Sequence, residues 1–486
     1  MGVDLGTQGV RVVVADGDGR VLGEGSAPLT SRRQGDRHEQ DPAEWHDAVR
    51  TAIGRARDHG ADLRAVRGVA VDATSGTITF LDQGGACVAP ALMYDDGRAT
   101  QEVERVNAVG EQQWARAGYR RMQRSWALPK LLWLLDRFPE AVPAGWTLAH
   151  QNDVVNRWLV GHEVATDTSH ALKTGADAAA VGWPDRVLSE LAVPRAVLPD
   201  LALPGTVLGE VCAEAAEETG LPVGTPVVAG MTDGCASQLA AGATAVGTWN
   251  SVLGTTLVLK GVTEQLIRDP HGVVYSHRSP TGQWLPGGAS SVGAGAVARE
   301  FASYDLDRLA GEAAELLPTD LLRYPLVSPG ERFPFVAPDA RAFTTREPTT
   351  PAESLAALMQ GVAYIERLCF DYLDQLGAPT AGAVVLTGGA TRNPVWNQLR
   401  AEVLQRELTL PRNAQPALGM AILAASTQGD LAGVAKAMVQ SDHTVEPTGT
   451  FARGHAEGYL RLLEVLVGHG WLPDAVAVHA QKRAAW

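Results

Sequence analysis

Hydrophobic and polar positions along the chain predict strands that alternate with helices. The β-branched run Val10 to Val14 predicts a strand, the Asp-Gly turn at 16–19 predicts a hairpin, and Val21 to Gly23 begins its second strand. Periodic apolar residues at 126–138 predict an amphipathic helix. Strands and helices in alternation, with glycine turns at the strand ends, indicate an α/β fold.

A second block with a similar pattern begins near residue 223. The apolar segment 225–230 predicts a buried strand that leads into an alanine-rich helix from about residue 235. Residues 247–259 predict two strands joined by a Gly-Thr-Thr turn, and Ala383 to Thr387 predicts another buried strand before a Gly-Gly turn. The strand-turn-strand pattern at the N-terminus and the one at 247–259 are similar, which suggests two related domains.

Charge and cysteine content exclude several classes of function. The chain has 55 acidic and 41 basic residues and a net charge of −14, which disfavours nucleic acid or an anionic membrane as a partner. No apolar run reaches the roughly 18 residues of a membrane-spanning helix, and the N-terminal segment has no secretory-signal pattern. The four scattered cysteines form no CxxC pair, so we expect a reducing, cytoplasmic compartment.

The first candidate site follows a short N-terminal strand. Asp4 supplies a carboxylate that suits Mg²⁺, directly or through water. Gly6, Thr7 and Gln8 form a turn whose backbone N–H groups could bind phosphate. An ordinary hairpin turn with a capping aspartate is an equally good interpretation of the same residues.

The second candidate site is the Thr-Asp-Gly sequence at residues 232–234, after a predicted strand. Ligands of α/β proteins bind at the carboxyl ends of strands, and Asp233 could there act as a general base toward an alcohol. Taken alone, the pattern is more typical of a helix N-cap.

Two further glycine-rich turns could bind the phosphates or the nucleoside of a nucleotide. One consists of Gly254, Thr255 and Thr256, and the other contains Gly388 and Gly389 before a helix that begins near Asn393. Each is weak alone, because plain turn chemistry explains it as well. The chain has no P-loop, HExxH, GxSxG or protein-kinase motif set.

The chain contains four short motifs in a fixed order: Asp-x-Gly-Thr, Gly-x-Thr-Asp, Leu-Gly-Thr-Thr and Thr-Gly-Gly-Ala. This ordered set resembles the motifs of the FGGY carbohydrate kinases, which belong to the actin-like ATPase superfamily. The resemblance covers residues 2 to about 425. It implies two actin-like (ribonuclease H-like) α/β domains with a deep interdomain cleft. The implied domains are 1–242, which binds sugar, and 243–430, which binds ATP, with 431–486 as a helical tail that packs back on the domains.

The resemblance also implies roles for the candidate residues in a transfer from Mg-ATP to a small sugar. Asp233 matches the catalytic base that would take the proton from O5 of a pentulose, and Asp4 with Asp233 would lie at the Mg²⁺. The remaining implied roles are ATP phosphate contacts for Gly6, Thr7, Gln8, Gly254, Thr255 and Thr256, adenosine contacts for Gly388, Gly389 and Asn393, an adenine-pocket wall for Trp396, and sugar contacts for Asp4, Asp72 and Ser75.

The segment at residues 71–77 (VDATSGT) affects the choice of sugar. It lacks the Met-His-Gly element of well-known bacterial xylulokinases and is similar to cyanobacterial and plant D-ribulose kinases. The stretch His170-Ala171-Leu172-Lys173 also resembles that group. We therefore expect D-ribulose ahead of D-xylulose, in a monomer or homodimer. The alternatives are another FGGY substrate such as L-ribulose or glycerol, a non-catalytic sugar or nucleotide sensor, and an ATPase without a sugar acceptor.

Overall fold

The structure is a computed structural model that describes residues 1–450 and 452–484. Its contacts divide the chain into two compact units, each assembled from three segments. The first unit comprises Met1–Thr244, His277–Leu285 and Asn413–Gln440, and the second comprises the described residues of Ala245–Ser276, Pro286–Arg412 and Ser441–Trp486.

Strands and helices alternate along most of the chain. The strands are β1 Gly2–Leu5, β2 Gly9–Ala15, β3 Val21–Pro28, β4 Arg32–Gln34, β5 Arg37–Gln40, β6 Val69–Ala73, β7 Ile78–Leu81, β8 Ala91–Leu92, β9 Thr147–His150, β10 Thr166–Asp167, β11 Leu201–Ala202, β12 Val207–Glu210, β13 Pro226–Val228, β14 Trp249–Leu253, β15 Leu257–Gly261, β16 Tyr275–Arg278, β17 Trp284–Ala289, β18 Arg323–Tyr324, β19 Phe343–Thr344, β20 Val384–Thr387, β21 Leu408–Pro411 and β22 Ser441–Val445. The α-helices are α1 Ala43–Asp58, α2 Glu102–Arg116, α3 Ala127–Arg137, α4 Gln151–Val160, α5 Thr168–Ala171, α6 Asp185–Glu190, α7 Ala213–Thr219, α8 Asp233–Ala240, α9 Gly295–Glu300, α10 Leu306–Ala314, α11 Pro351–Gln375, α12 Pro394–Leu404, α13 Pro416–Ala425, α14 Leu431–Met438, α15 Ala452–Gly468 and α16 Asp474–Arg483. Short 3₁₀ turns lie at Leu63–Ala65, Leu172–Thr174, Arg195–Val197, Gly389–Arg392 and Ser426–Gln428.

The main sheet of the first unit has the order β12-β13-β6-β1-β2-β3. The predicted Asp-Gly hairpin joins β2 and β3, and Gly19 adopts the positive φ of +74° that its turn requires. The central strand β1 pairs antiparallel with β2 and parallel with β6. Every residue of β1 is buried, which explains why its sequence reads as apolar except at Asp4.

The main sheet of the second unit repeats this arrangement. Its order is β16-β17-β15-β14-β20-β21-β22, and the central strand β14 pairs antiparallel with β15 and parallel with β20. The sheet packs against the long helix α11, most of which is buried. Each unit therefore has a central strand that turns back on one neighbour and runs parallel to the other.

The segment Asn413–Gln440 belongs to the first unit, although the sequence placed most of it in a C-terminal domain ending at 430. Helix α13 packs directly against β1 and α8, and only glycine fits at these contacts. A Cβ on Gly2 would lie 1.8 Å from the carbonyl oxygen of Ala417, and one on Gly419 would lie 2.0 Å from that of Ala236. This close backbone packing holds the segment to the first unit.

The sequence predicts a helical tail at 431–486, but the structure shows a strand in it as well as helices. Strand β22 pairs antiparallel with β21, with Leu408 opposite Val445, and so extends the sheet of the second unit. Helices α15 and α16 follow it, whereas residues 451, 485 and 486 of the predicted tail lie outside the described residues.

A fully buried ion pair joins α11, α12 and β14 in the second unit. Arg400 donates to both oxygens of Glu366 at 2.7 and 2.8 Å, and Ser251 donates to the same carboxylate at 2.6 Å. Neither charged side chain has exposed surface. Removal of one partner would leave the other charge buried and uncompensated.

We therefore expect Glu366→Ala to destabilise the protein by about 3–5 kcal/mol, measured as a lowered midpoint of thermal or urea unfolding. The control is Glu457→Ala, which breaks an exposed pair with Arg453 in the same unit and should cost about 1 kcal/mol or less. Equal effects of the two substitutions would contradict this assignment.

Candidate active site

Three carboxylates of the first unit come together at one end of neighbouring strands. Asp4 in β1 and Asp72 in β6 lie opposite each other in the parallel register. Asp233 is the first residue of α8, directly after Thr232, which bridges in parallel to Ala73 at the end of β6. Residues far apart in the sequence thus meet where α/β proteins bind ligands.

Burial separates the roles that these carboxylates can have. Asp72 is fully buried, and no donor in the described part of the chain reaches either of its carboxyl oxygens. Burial, followed by the negative charges of Asp4 and Asp233, raises its pKa well above the usual range. Asp72 therefore has no exposed surface, its carboxyl interacts with that of Asp4, and its predicted sugar contact stays a prediction.

Asp4 is almost completely buried, and Asp233 is exposed. Burial, and after it the charge of Asp233, raises the pKa of Asp4 to about 6, although Arg11 opposes this from 3.5 Å. Asp233 accepts a hydrogen bond from the N–H of Gly234 at 2.7 Å. The exposed carboxylate is accessible to a substrate, and the buried pair carries a negative charge that a cation would relieve.

The donor set of this cluster is compatible with Mg²⁺. Carboxylate oxygens are hard ligands, and both oxygens of Asp72 are buried without a hydrogen-bond donor among the described residues. Across residues 1–450 and 452–484, no group of three or more His, Cys, Asp or Glu side chains is arranged to hold a metal ion by itself. Mg²⁺ commonly uses one or two carboxylates and takes its remaining ligands from water and phosphate, which Asp4 and Asp233 would suit.

The turn after β1 is well anchored to the rest of the first unit. The N–H of Gly6 donates to the carbonyl of Gly9 at 3.1 Å. The side-chain amide of Gln40 donates to the backbone carbonyl of Thr7 at 2.7 Å, and the N–H of Leu29 donates to the carbonyl of Gln8 at 3.0 Å. The turn is a β-hairpin connection, as the ordinary interpretation required, and it also lies directly beside Asp4. The two interpretations are therefore compatible.

The candidate nucleotide residues of the second unit lie on two adjacent turns. Gly254, Thr255 and Thr256 connect β14 to β15, and Gly388 follows β20, which is parallel to β14. Gly388 has a φ of +91°, and a Cβ there would lie 2.5 Å from the carbonyl oxygen of Leu253. This close approach brings the two glycine-rich turns together at one edge of the sheet.

Asn393 and Trp396 have structural roles at the start of α12. The side chain of Asn393 caps the helix by accepting from the N–H of Trp396 at 3.1 Å. Trp396 is 3% exposed and donates from its indole to the carbonyl of Met359 at 3.1 Å. A ring buried this deeply packs in the core, which does not support the predicted wall of an adenine pocket.

Several residues beside Asp233 were missed by the sequence analysis. Ser169 accepts a hydrogen bond from the N–H of Thr232 at 3.2 Å, and its hydroxyl lies 3.0 Å from Nδ1 of His277. Tyr94 is 39% exposed, and its pKa is raised by burial and by nearby acids that include Asp233. None of these residues belongs to a recognisable motif. Arg11 was missed as well, although the predicted hairpin register already places it opposite Asp4.

Comparison with known proteins decides the family. Residues 1–240 match the N-terminal domain of the FGGY family of carbohydrate kinases, and residues 249–427 match its C-terminal domain. The chain belongs to the FGGY family. The two-domain α/β fold and the family expected from the motifs are confirmed, and the protein is an ATP-dependent phosphotransferase that acts on a sugar hydroxyl.

The relatives of this FGGY kinase include several xylulose kinases. That of Streptomyces rubiginosus is 30% identical over 447 residues, which cover 90% of each chain. That of Escherichia coli K12 is 28% identical over 437 residues, 87% of this chain and 89% of its own. The crystal structure of xylulose kinase from Rhodospirillum rubrum superposes with a TM-score of 0.86 at 26% identity, covering 96% of this chain and 98% of its own.

These names do not confirm the D-ribulose subgroup that the 71–77 segment favoured, and they support the alternative, D-xylulose.

No helix in the described part of this FGGY kinase is both long and apolar enough to cross a membrane.

We expect Asp72→Asn to raise the melting temperature at pH 8 by several degrees, because the amide removes a buried acid from the cluster. The pKa of Asp72 is raised above its usual 3.8 in the folded state. Its contribution to stability is thus fully present below pH 3.8 and is lost as the pH rises through the folded-state pKa. The gain should therefore shrink as the pH is lowered toward 4. Thermal unfolding at a series of pH values measures it.

The control is Asp200→Asn, since the side chain of Asp200 is 88% exposed and the substitution should change the melting temperature little at any of these pH values. A loss of stability in Asp72→Asn at pH 8 would show that the Asp72 carboxylate is stabilising, against this prediction.

Proposed function

We propose that this FGGY kinase phosphorylates O5 of a pentulose, with D-xylulose ahead of D-ribulose. The observation that carries the chemistry is the exposed carboxylate of Asp233 beside the buried pair Asp4 and Asp72. The similarity to xylulose kinases over about nine-tenths of the chain supports D-xylulose as the sugar.

Asp233 acts in this proposal as the general base. Its carboxylate is exposed and lies at the N-terminus of α8, held by the N–H of Gly234. It takes the proton of the sugar hydroxyl, whose oxygen then forms the new bond to the γ-phosphorus of ATP as the bond to the β–γ bridging oxygen breaks. The products are the sugar phosphate and ADP.

The acids of the first unit would bind the nucleotide through Mg²⁺ in this proposal. Asp4, directly or through water, and Asp233 would hold Mg²⁺, which supplies charge neutralisation on the phosphate oxygens when bound. Asp72 shares the charge of Asp4 from the neighbouring strand. Gly6, Thr7 and Gln8 would contact the transferred phosphate through the anchored turn beside Asp4.

Within the second unit, two turns are candidates for nucleotide contacts in this proposal. The paired turns at Gly254–Thr256 and at Gly388 and Gly389 provide backbone that a ligand can approach closely, because glycine leaves no side chain in the way. Asn393 supports the second turn as the cap of α12. Ser75, in the turn after β6, would contact the sugar.

Substrate choice is tested with purified enzyme, Mg-ATP and a panel of D-xylulose, D-ribulose, L-ribulose, glycerol and a no-sugar control, with ADP release as the readout. We expect kcat/KM for D-xylulose to exceed that for D-ribulose by about tenfold or more, equivalent to one well-placed hydroxyl contact. A clear preference for D-ribulose would overturn the ranking and keep the mechanism. ADP release that no sugar increases would remove the sugar kinase proposal.

Replacement of Asp233 tests the base. Asp233→Ala should lower kcat by about 10²–10⁴-fold, because proton removal then falls to water, and calorimetry should show ATP binding largely unchanged. Asp58→Ala, which removes an exposed acid of α1, is the control and should retain full kcat. An Asp233→Ala enzyme that kept most of its kcat would remove Asp233 as the base.

A further inference from the structure

Three basic side chains hold the turn that joins β6 to β7. His170 Nε2 lies 3.2 Å from the carbonyl oxygen of Ala73, Lys173 Nζ donates to that of Ser75 at 2.9 Å, and Lys130 Nζ donates to that of Gly76 at 2.6 Å. The carbonyl of Thr74 accepts from the N–H of Thr77 at 3.5 Å. Each of the four successive carbonyls therefore has a donor within the protein.

The arrangement of His170 requires its charged form. Its Nδ1 lies 2.7 Å from a carboxylate oxygen of Asp167, which can only accept, and its Nε2 lies against the carbonyl of Ala73, which also accepts. Both ring nitrogens therefore carry hydrogen. Asp167, followed by further acids and hydrogen bonds, raises the pKa of His170 against the effect of its burial.

The hydrogen bonds of Lys130 to this turn require the burial of an amine, which has a large desolvation free energy. Lys130 is fully buried, and burial lowers its pKa to about 7. Among the described residues its hydrogen-bond partners are backbone carbonyls, and besides that of Gly76 they include that of Met93 at 2.7 Å. One amine thus ties the turn to the segment that precedes the exposed Tyr94, at a desolvation cost that a neutral donor would avoid.

One polar side chain of the turn has no hydrogen bond to satisfy it within the described residues. The hydroxyl oxygen of Ser75 is buried without a hydrogen-bond partner among the described residues. A buried hydroxyl is normally paired, so this one is suited to a ligand that supplies the partner. Ser75 is the second residue after the end of β6 at Ala73, and so it lies at the same strand end as the acidic cluster.

We propose that Lys130, His170 and Lys173 are positioning residues that hold the turn at 73–76 in the conformation that binds the sugar hydroxyls. They act through the backbone of the turn, without contact to the sugar themselves. The proposal rests on the proposed sugar site and gives a function to the His-Ala-Leu-Lys stretch, whose first and last residues face this turn from α5 and the following 3₁₀ turn.

Gly76 provides an independent indication that the turn and Lys173 fit closely. Its φ is +100°, which disfavours other residues, and a Cβ there would lie 3.1 Å from Cδ of Lys173. A side chain at position 76 would therefore press on the lysine that holds the preceding carbonyl.

The test uses Lys173→Met, because Lys173 is half-buried and methionine keeps most of its apolar stem. We expect KM for the sugar that the wild type prefers to rise about tenfold, as for the loss of one charged hydrogen bond, with KM for ATP within about twofold. Lys173→Gln keeps an N–H donor and should recover part of the sugar KM. Lys436→Met, at an exposed position of α14 in the same unit, should match the wild type.

Hydrogen exchange of the amides at 74–77, without sugar, provides a readout that does not require turnover. Exchange should be faster in Lys173→Met than in the wild type and in Lys436→Met. Unchanged exchange, or equal rises in KM for sugar and ATP, would overturn the positioning role. Should the wild type phosphorylate no sugar, the proposed function fails, and the exchange result still decides whether Lys173 holds the turn.

Discussion

The parallel pairing of β1 with β6 sets Asp4 opposite Asp72, and the other features of the first unit's site depend on that register. A shift of β1 by one residue relative to β6 would turn Asp4 to the opposite face of the sheet from Asp72. The position has an electrostatic cost, because burial, and after it the charge of Asp233, raises the pKa of Asp4, and burial, followed by the charges of Asp4 and Asp233, raises that of Asp72. Such a cost is typical of a site that binds a cation and phosphate rather than of a stable core.

The second unit uses the same strand pairing with different chemistry. Its central strand β14 also runs parallel to a neighbour, β20, but the turns that follow them carry glycine and threonine instead of acids. The contact of Gly388 with the backbone of Leu253 allows these turns to lie side by side. Carboxylates therefore lie at the strand ends of the first unit, and glycine-rich backbone lies at those of the second.

Three basic side chains of the first unit lie at one turn beside the acidic cluster. Lys130, His170 and Lys173 donate to the carbonyls of the turn at 73–76 and so hold its backbone at the strand end that carries the carboxylates. The exposed carboxylate of Asp233 lies beside the same strand end, since Thr232 bridges to Ala73. Preorganisation of this kind is what phosphoryl transfer requires from a protein, since positioning supplies most of the catalysis.

The sequence by itself determined the α/β class, the Asp-Gly hairpin, the acidic and glycine-rich segments and the FGGY family, because these depend on local periodicity, turn chemistry and short motifs. Only the tertiary structure decided that Asp72 is buried, that Trp396 packs in a core and that residues 413–440 belong to the first unit. It also revealed Lys130 and Ser169, whose partners lie far away in the chain. The physical reason is that burial and hydrogen bonding depend on neighbours brought together by the sheet, which no local pattern of residues records.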